Sequence, residues 1–339
     1  MKVDGGVGVS SNFANVRGDA KEQEDQGYDG LWVPETSHDP FVPLALMADA
    51  TEKVQLGTSI VVAFAQNPMS LAYSANDIQL LSGGRFILGL GSQIKPHITR
   101  RFSMEWSKPA ARMREMIAAI NAIWASWNTD EKLDFRGDFY QHTLMTPFFD
   151  PGVNPFGPPQ IALAGVGELM TQVAGEAANV FLSHGFSTEK YLREVTIPNL
   201  EKGAAKAGRS LDDIEVTAPG FVVTGDSDEE MEKAAAGTRQ QIAFYGSTPA
   251  YRGVLEAHGW GDLQTELNAM SKQGQWGPMG ELITDEILET FAVVGPPESI
   301  PAAINQRYGD ACGRVSFYAP YKSDPARWQG IFEGIKAGG

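Results

Sequence analysis

The sequence predicts an α/β fold: a TIM-like (β/α)8 barrel with insertions after strand 4 and after helix 7. Three observations carry this. Short apolar runs recur along the chain with stretches of helical spacing between them, the alternation expected of parallel strands joined by helices. The runs Leu31 to Val33, Leu56 to Phe64 and Phe86 to Leu90 show no polar alternation, so they belong to strands buried on both faces. Polar or small residues close each run: Glu35, Thr36 and His38, then Ser59 and Asn67, then Gly91, Ser92, Gln93 and His97. In a barrel these strand ends share one rim, where enzymes of this architecture keep their chemistry.

Taken in order, Lys2 to Val9 reads as the first strand, loosened by Gly5, Gly6 and Gly8, and a polar helix from about Asn15 to Gln26 stops at Gly27. After the second strand, Pro40 to Lys53 carries Leu44, Leu46, Met47 and Ala50 at helical spacing. The third strand, Leu56 to Phe64, leads to a helix over Ser70 to Leu81 that Gly83 and Gly84 terminate. After the fourth strand, a helix from about Lys108 to Trp127 keeps Met113, Met116, Ile117, Ile120, Ile123 and Trp124 on one face. The rhythm then breaks over residues 128–158: LDFRGDFYQH reads as a hairpin, and a proline-rich stretch follows with Phe148, Phe149 and Phe156, which are expected to cover a site. Pro159 to Gly165 is the fifth strand and Ala178 to Gly185 the sixth, followed by a helix over Thr188 to Gly208. Ile214 to Gly225 is the seventh strand, and the acidic opening DSDEEME starts its helix. A second excursion spans residues 246–284 before FAVVGPPESI, a short strand with a helix, and the eighth strand at Arg314 to Pro320.

At 339 residues the chain has the length of one such barrel with insertions, read as a single domain over residues 1–339. The formal charge of −15 argues against a nucleic-acid binder and means that an anionic ligand must be met by local cations or backbone N–H groups. Cys312 is the lone cysteine, which excludes an internal disulfide and a cysteine metal cluster. The first strand starts almost at Met1, and no apolar run reaches the roughly 18 residues of a membrane span, so a cytoplasmic protein with no membrane partner is expected.

His38 lies in ETSHDPF, a run too polar for a core. It is the candidate proton donor or acceptor, with Glu35 or Asp39 as a partner; a loop histidine bonded to backbone is the plain alternative. Ser59 and Ile60 either meet a ligand or fill a tight barrel wall. The turn GLGSQIKPH fits neither the dinucleotide nor the Walker pattern, and Lys95 sits in a loop where Schiff-base chemistry is not expected. ALAGVGEL is the better anion site, because Gly165 and Gly167 free the backbone just where a helix begins. His184 either serves the same ligand or packs. Arg100 and Arg101 either meet an anion or are simply solvated. No converging set of metal ligands is visible, so no metal is expected.

These residues together resemble the luciferase-like monooxygenase family, and in particular its branch using the deazaflavin coenzyme F420. The likeness lies in EDQGYDGLWVPETSHDPF, LGTSIVVAFAQNP, LSGGRFILGLGSQIKPHITRRF, RMREMIAAINAIW, AGVGELMTQVAGEAANVFLSHGF, VVGPPESIPAAI and RVSFYAP, in that order over nearly the whole chain. The resemblance implies a TIM-like barrel, often dimeric. It implies cofactor contacts at Glu35, Thr36, His38, Ser59, Ile60, Val61, Gly91, Gln93, Ala164, Gly165, Val166 and Gly167. It also implies a non-prolyl cis peptide within Ser59 to Val62 and His38 as the acid/base group for hydride transfer at the deazaflavin C5. A second catalytic acid of some sugar-phosphate-oxidising members would fall near Gln93, an amide that cannot act as an acid. The aromatic, nearly neutral insertions favour a small, moderately apolar substrate. Flavin mononucleotide (FMN) with oxygen is the nearest alternative, a binding protein without turnover another, and a phosphate-substrate lyase a third.

Overall fold

The computed structural model describes residues 1–7, 12–129 and 131–338. Its strands are β1 (Lys2–Gly6), β2 (Gly30–Val33), β3 (Gln55–Thr58), β4 (Val61–Val62), β5 (Phe86–Gly91), β6 (Phe135–Arg136), β7 (Gln141–His142), β8 (Gln160–Gly165), β9 (Val180–Ser183), β10 (Glu215–Ala218), β11 (Val222–Val223), β12 (Val293–Val294) and β13 (Arg314–Ser316). β3-β2-β1-β13-β10-β9-β8-β5-β4 is one sheet, and the further pairing of β3 with β5 closes it. Its pairings are all parallel. With β3 and β4 counted as one interrupted strand, this is the expected eight-stranded barrel.

Alternation along the strands separates two apolar layers. Trp32, Ile87, Ala162, Val180 and Leu182, joined by Ile60 and Ala164, fill the barrel interior. Leu31, Val33, Leu56, Phe86, Leu88, Ile161 and Phe181 face outward against the helices. The N-terminal end of the barrel is plugged by an ion cluster. Arg314, fully buried, donates from Nη2 to Asp4 Oδ1 and Gln55 Oε1, both at 3.0 Å, and from Nη1 to Glu215 Oε2 at 3.1 Å. Its guanidinium also lies 5.2 Å from the Trp32 ring centroid.

Several elements differ from expectation for identifiable reasons. β1 ends at Gly6, and Gly8 and Val9 lie outside the described residues. The seventh strand stops at Ala218, where Pro219 and Gly220 turn the chain so that β11 leaves the barrel and pairs in parallel with β12. The helix expected over Thr188 to Gly208 contains a π turn at Leu192–Thr196 just before Pro198, whose missing N–H and ring bulk disfavour a regular α turn there. Residues 246–284 are largely helical, with helices Arg252–Glu256 and Gly261–Lys272, and pack with Asp228–Gly246 and Asp285–Phe291 around a second core of Ile242, Val254, Leu267, Met279 and Phe291.

The first insertion packs on the outside of the barrel. It follows the helix Pro109–Asn128 and precedes β8, so it runs down the outside of the barrel along the helix Pro68–Leu81. Tyr73 Oη donates to Phe149 O at 2.6 Å and Asn154 Nδ2 to Asn76 Oδ1 at 2.8 Å. A Cβ on Gly84, at the foot of β5, would stand 3.0 Å from Phe156.

The loop entering β3 is fastened by Glu24. Its Oε1 accepts the N–H groups of Glu52, Lys53 and Val54 at 2.9, 2.6 and 3.0 Å. Burial alone would raise this carboxyl, but those three N–H groups and the Lys21 ammonium bring it down to about 2 from 4.5. A depressed folded value means stability present above the unfolded value and lost as pH falls through the folded one. Glu24 should therefore contribute on the order of 3 kcal/mol above about pH 4.5 and lose it towards pH 2. Glu24→Gln is expected to flatten that acid limb in denaturant titrations at a series of pH values; an unchanged limb would contradict the assignment.

Among the described residues, no helix is long and apolar enough to cross a membrane. No group of three or more His, Cys, Asp or Glu side chains among them is placed to hold a metal ion.

Candidate active site

The rim is organised by a bulge between β3 and β4. Gly57 pairs with Ile87 and Val61 with Leu90, so three residues, Thr58 to Ile60, oppose two, Leu88 and Gly89. The Thr58 hydroxyl fills the broken ladder: it accepts the Gly89 N–H at 2.8 Å and donates to Gly89 O at 2.7 Å. Gly89 must be glycine, since a Cβ there would stand 1.8 Å from Thr58 O. The Ser59–Ile60 peptide within the bulge is cis, inside the span expected from the sequence. Ile60 lies over Gly91, where a Cβ would meet its Cγ1 at 2.6 Å, so the missing side chain at Gly91 gives Ile60 its place. Thr58→Val keeps the shape and strands both Gly89 backbone groups; it should cost about 2 kcal/mol or more in denaturant melts, and a loss near zero would contradict the ladder role.

β2 delivers Glu35, Thr36 and His38 to the same rim. Glu35 is tied into the bulge: its N–H donates to Ile60 O at 3.1 Å and its Oε2 accepts the Val62 N–H at 2.7 Å. Burial raises the Glu35 carboxyl, with Asp39 adding to the rise and the Val62 N–H and Arg101 opposing it. The sequence offered Glu35 as a partner for His38, whereas its carboxylate braces the neighbouring strand. His38 packs edge-on against Phe13, ring centroids 5.2 Å apart at 78°. Arg101, on the π turn His97–Arg101, donates from Nη2 to Thr36 O at 2.6 Å and so fixes the backbone of this loop. Gln93, two residues beyond β5, adopts a left-handed φ of 56° and its Oε1 accepts the Ile94 N–H.

Ala164 and Gly165 end β8, and Val166 and Gly167 lead into the helix Glu168–Ala177. No side chain caps that helix at Gly167, and a Cβ on Gly167 would meet nothing within 4 Å, so its first N–H groups open outward. Val166 O is held at 2.9 Å by the Tyr191 hydroxyl.

His184, directly after β9, is enclosed by aromatic rings. Tyr245 and Tyr251 both lie 4.7 Å from it, centroid to centroid. Its Nδ1 accepts the Phe186 N–H at 2.9 Å, Nε2 is 3.3 Å from the Tyr251 hydroxyl, and burial lowers its pKa to about 4. Next to it, the Tyr245 and Tyr318 hydroxyls are 3.1 Å apart and Tyr318 stacks on Phe221. Sequence reasoning missed Thr58, Tyr191, Tyr245, Tyr251 and Tyr318.

The strand-end residues expected from the sequence thus lie on one rim, in two clusters. Glu35, Ile60, Val61 and Gly91 are joined through the bulge, and Thr36 is held by Arg101. His184 belongs to the aromatic cluster, and Val166 is tied to Tyr191.

Residues 1–313 match the luciferase-like monooxygenase family. An uncharacterized protein of Mycobacterium tuberculosis (strain ATCC 25618 / H37Rv) is 49% identical over 315 residues, 93% of this chain and 92% of that protein. The 5,10-methylenetetrahydromethanopterin reductase of Archaeoglobus fulgidus is 28% identical over 295 residues, 84% of this chain and 83% of that one. Among solved structures, the coenzyme F420 dependent tetrahydromethanopterin reductase from Methanopyrus kandleri superposes with a TM-score of 0.79 at 22% identity, covering 98% of this chain and 97% of that one. That last likeness speaks for the fold alone.

Proposed function

The chain belongs to the luciferase-like monooxygenase family, and from that premise we propose that it is an F420-dependent oxidoreductase. It transfers a hydride between C5 of the deazaflavin and a small organic substrate, with His38 giving or taking the accompanying proton. The observation that carries this reading is the cradle on the rim: a bulged strand whose Ile60 lies over side-chainless Gly91, together with the uncapped, open helix start at Gly167. A planar ring is accommodated by Ser59, Ile60, Val61, Gly91 and Gln93, with Glu35 and Thr36 shaping its edge. A phosphate tail is met by Ala164, Gly165, Val166 and Gly167 through backbone N–H groups, which suits a chain of charge −15. His184 closes the far side. The bound deazaflavin supplies the two-electron chemistry; the barrel orients it and keeps water away. His38 holds the proton.

We place the protein in the cytoplasm and infer a homodimer. Leu144, Phe148, Phe149 and Val153 are exposed on the first insertion, where residues 143–158 carry Asp150 as their one charged side chain. A charge-poor apolar face is where two strongly acidic copies meet with least repulsion. Phe148→Glu should yield monomers in sedimentation velocity.

Oxygen electrode measurements test the redox reading. With reduced F420 the protein should consume no oxygen beyond the free cofactor's background. FMN-dependent oxygen uptake would move it to the monooxygenase side of the family.

A further inference from the structure

The aromatic cluster around His184 leaves phenol protons unspent. The Phe186 N–H occupies Nδ1 of His184, and at a pKa of about 4 the ring is neutral, so its single proton sits on Nε2 and points to the Tyr251 oxygen. Tyr251 is then an acceptor in that contact, and its own O–H has no acceptor among the described residues. The Tyr245–Tyr318 contact uses one proton, so the second hydroxyl of that pair likewise has a proton to give. Tyr318 stands two residues past β13 and His184 directly past β9. Both are on the strand-end rim, and the helical segment after β11 brings Tyr245 and Tyr251 to them.

We propose that the Tyr251 hydroxyl and the Tyr245–Tyr318 pair form a donor wall that selects a neutral substrate by a C=O or C=N acceptor atom. This rests on the F420 reading above. Burial supports the donor role by raising the Tyr251 phenol to about 12 and the Tyr318 phenol above its usual range, so both keep their protons at neutral pH. The neutral His184 gives a carboxylate or phosphate no countercharge here. A bound reduced deazaflavin would supply the hydride and its electron pair that the carbonyl or imine carbon receives. The π pair moves onto the oxygen or nitrogen, where the phenol protons hold the growing charge and His38 supplies the proton. The products are the alcohol or amine and the oxidised deazaflavin.

The test compares cyclohexanone with methylenecyclohexane, the same shape without the acceptor, by ligand-observed NMR with and without F420. The protein should bind the ketone about tenfold more tightly or better. Tyr251→Phe and Tyr318→Phe, which keep the rings and their packing, should together abolish that preference and leave F420 affinity unchanged. Equal affinities in the unaltered protein, or a preference that survives the double variant, would overturn the proposal. If the ketone preference holds while F420 fails to bind, the wall stands and the cofactor reading falls.

Discussion

Alanine at position 38 is expected to lower turnover by about 10²–10⁴-fold, the usual contribution of a positioned acid or base, while the F420 dissociation constant stays within about threefold. The expectation rests on where the ring is held. Phe13 packs against its face edge-on, and the loop that carries it is fixed by Arg101 on Thr36 O. Of the two carboxylates close by in sequence, Glu35 accepts the Val62 N–H and Asp39 the Phe41 N–H. On the proposed reading, His38 is the proton donor on this side of the rim. Single-turnover oxidation of bound reduced cofactor separates the outcomes. A slowed chemical step at unchanged binding fits the role, and an unaltered step at saturating substrate removes His38 from the mechanism.

Arg314→Leu should destabilise the barrel by about 3–5 kcal/mol at neutral pH, because it leaves Asp4 buried without its cation, the remaining Lys2 ammonium being paired with Glu215. Burial already outweighs the attraction of Arg314 and raises the Asp4 carboxyl. Without the guanidinium that rise must grow, and a raised folded value gives stability that is present below the unfolded value and lost as pH rises through the folded one. The deficit should therefore shrink as pH falls from 7 towards 4, which denaturant melts at several pH values would reveal. A loss under about 1 kcal/mol would show that the cluster is dispensable. The location matters as much as the size: the cluster sits at the start of the strands, remote from the rim, so a folded variant should bind cofactor normally.

The barrel was legible because buried parallel strands leave uninterrupted apolar runs, and the chain order of those runs with helices permits few closures. The bulge was not legible from periodicity, since LGTSIVVAF has no alternation in which an extra residue would register; its expected position came from the family resemblance. The packing of Phe149 and Phe156 along the helix Pro68–Leu81 and the foot of β5 was not legible, because aromatic content says nothing about which part of a barrel a loop meets. The tyrosine wall was hidden because its members come from separate parts of the chain, Tyr245 and Tyr251 from a helical segment whose own core formed apart from the barrel. Glu35 shows the converse: its position was anticipated, but a carboxylate's role depends on which N–H it meets.

The identity of the cofactor is tested by fluorescence-quench titration of the purified protein with F420 and, separately, with FMN. Saturable binding of F420 is expected, at least about tenfold tighter than that of FMN. Tighter binding of FMN, or binding of neither, would contradict the F420 reading.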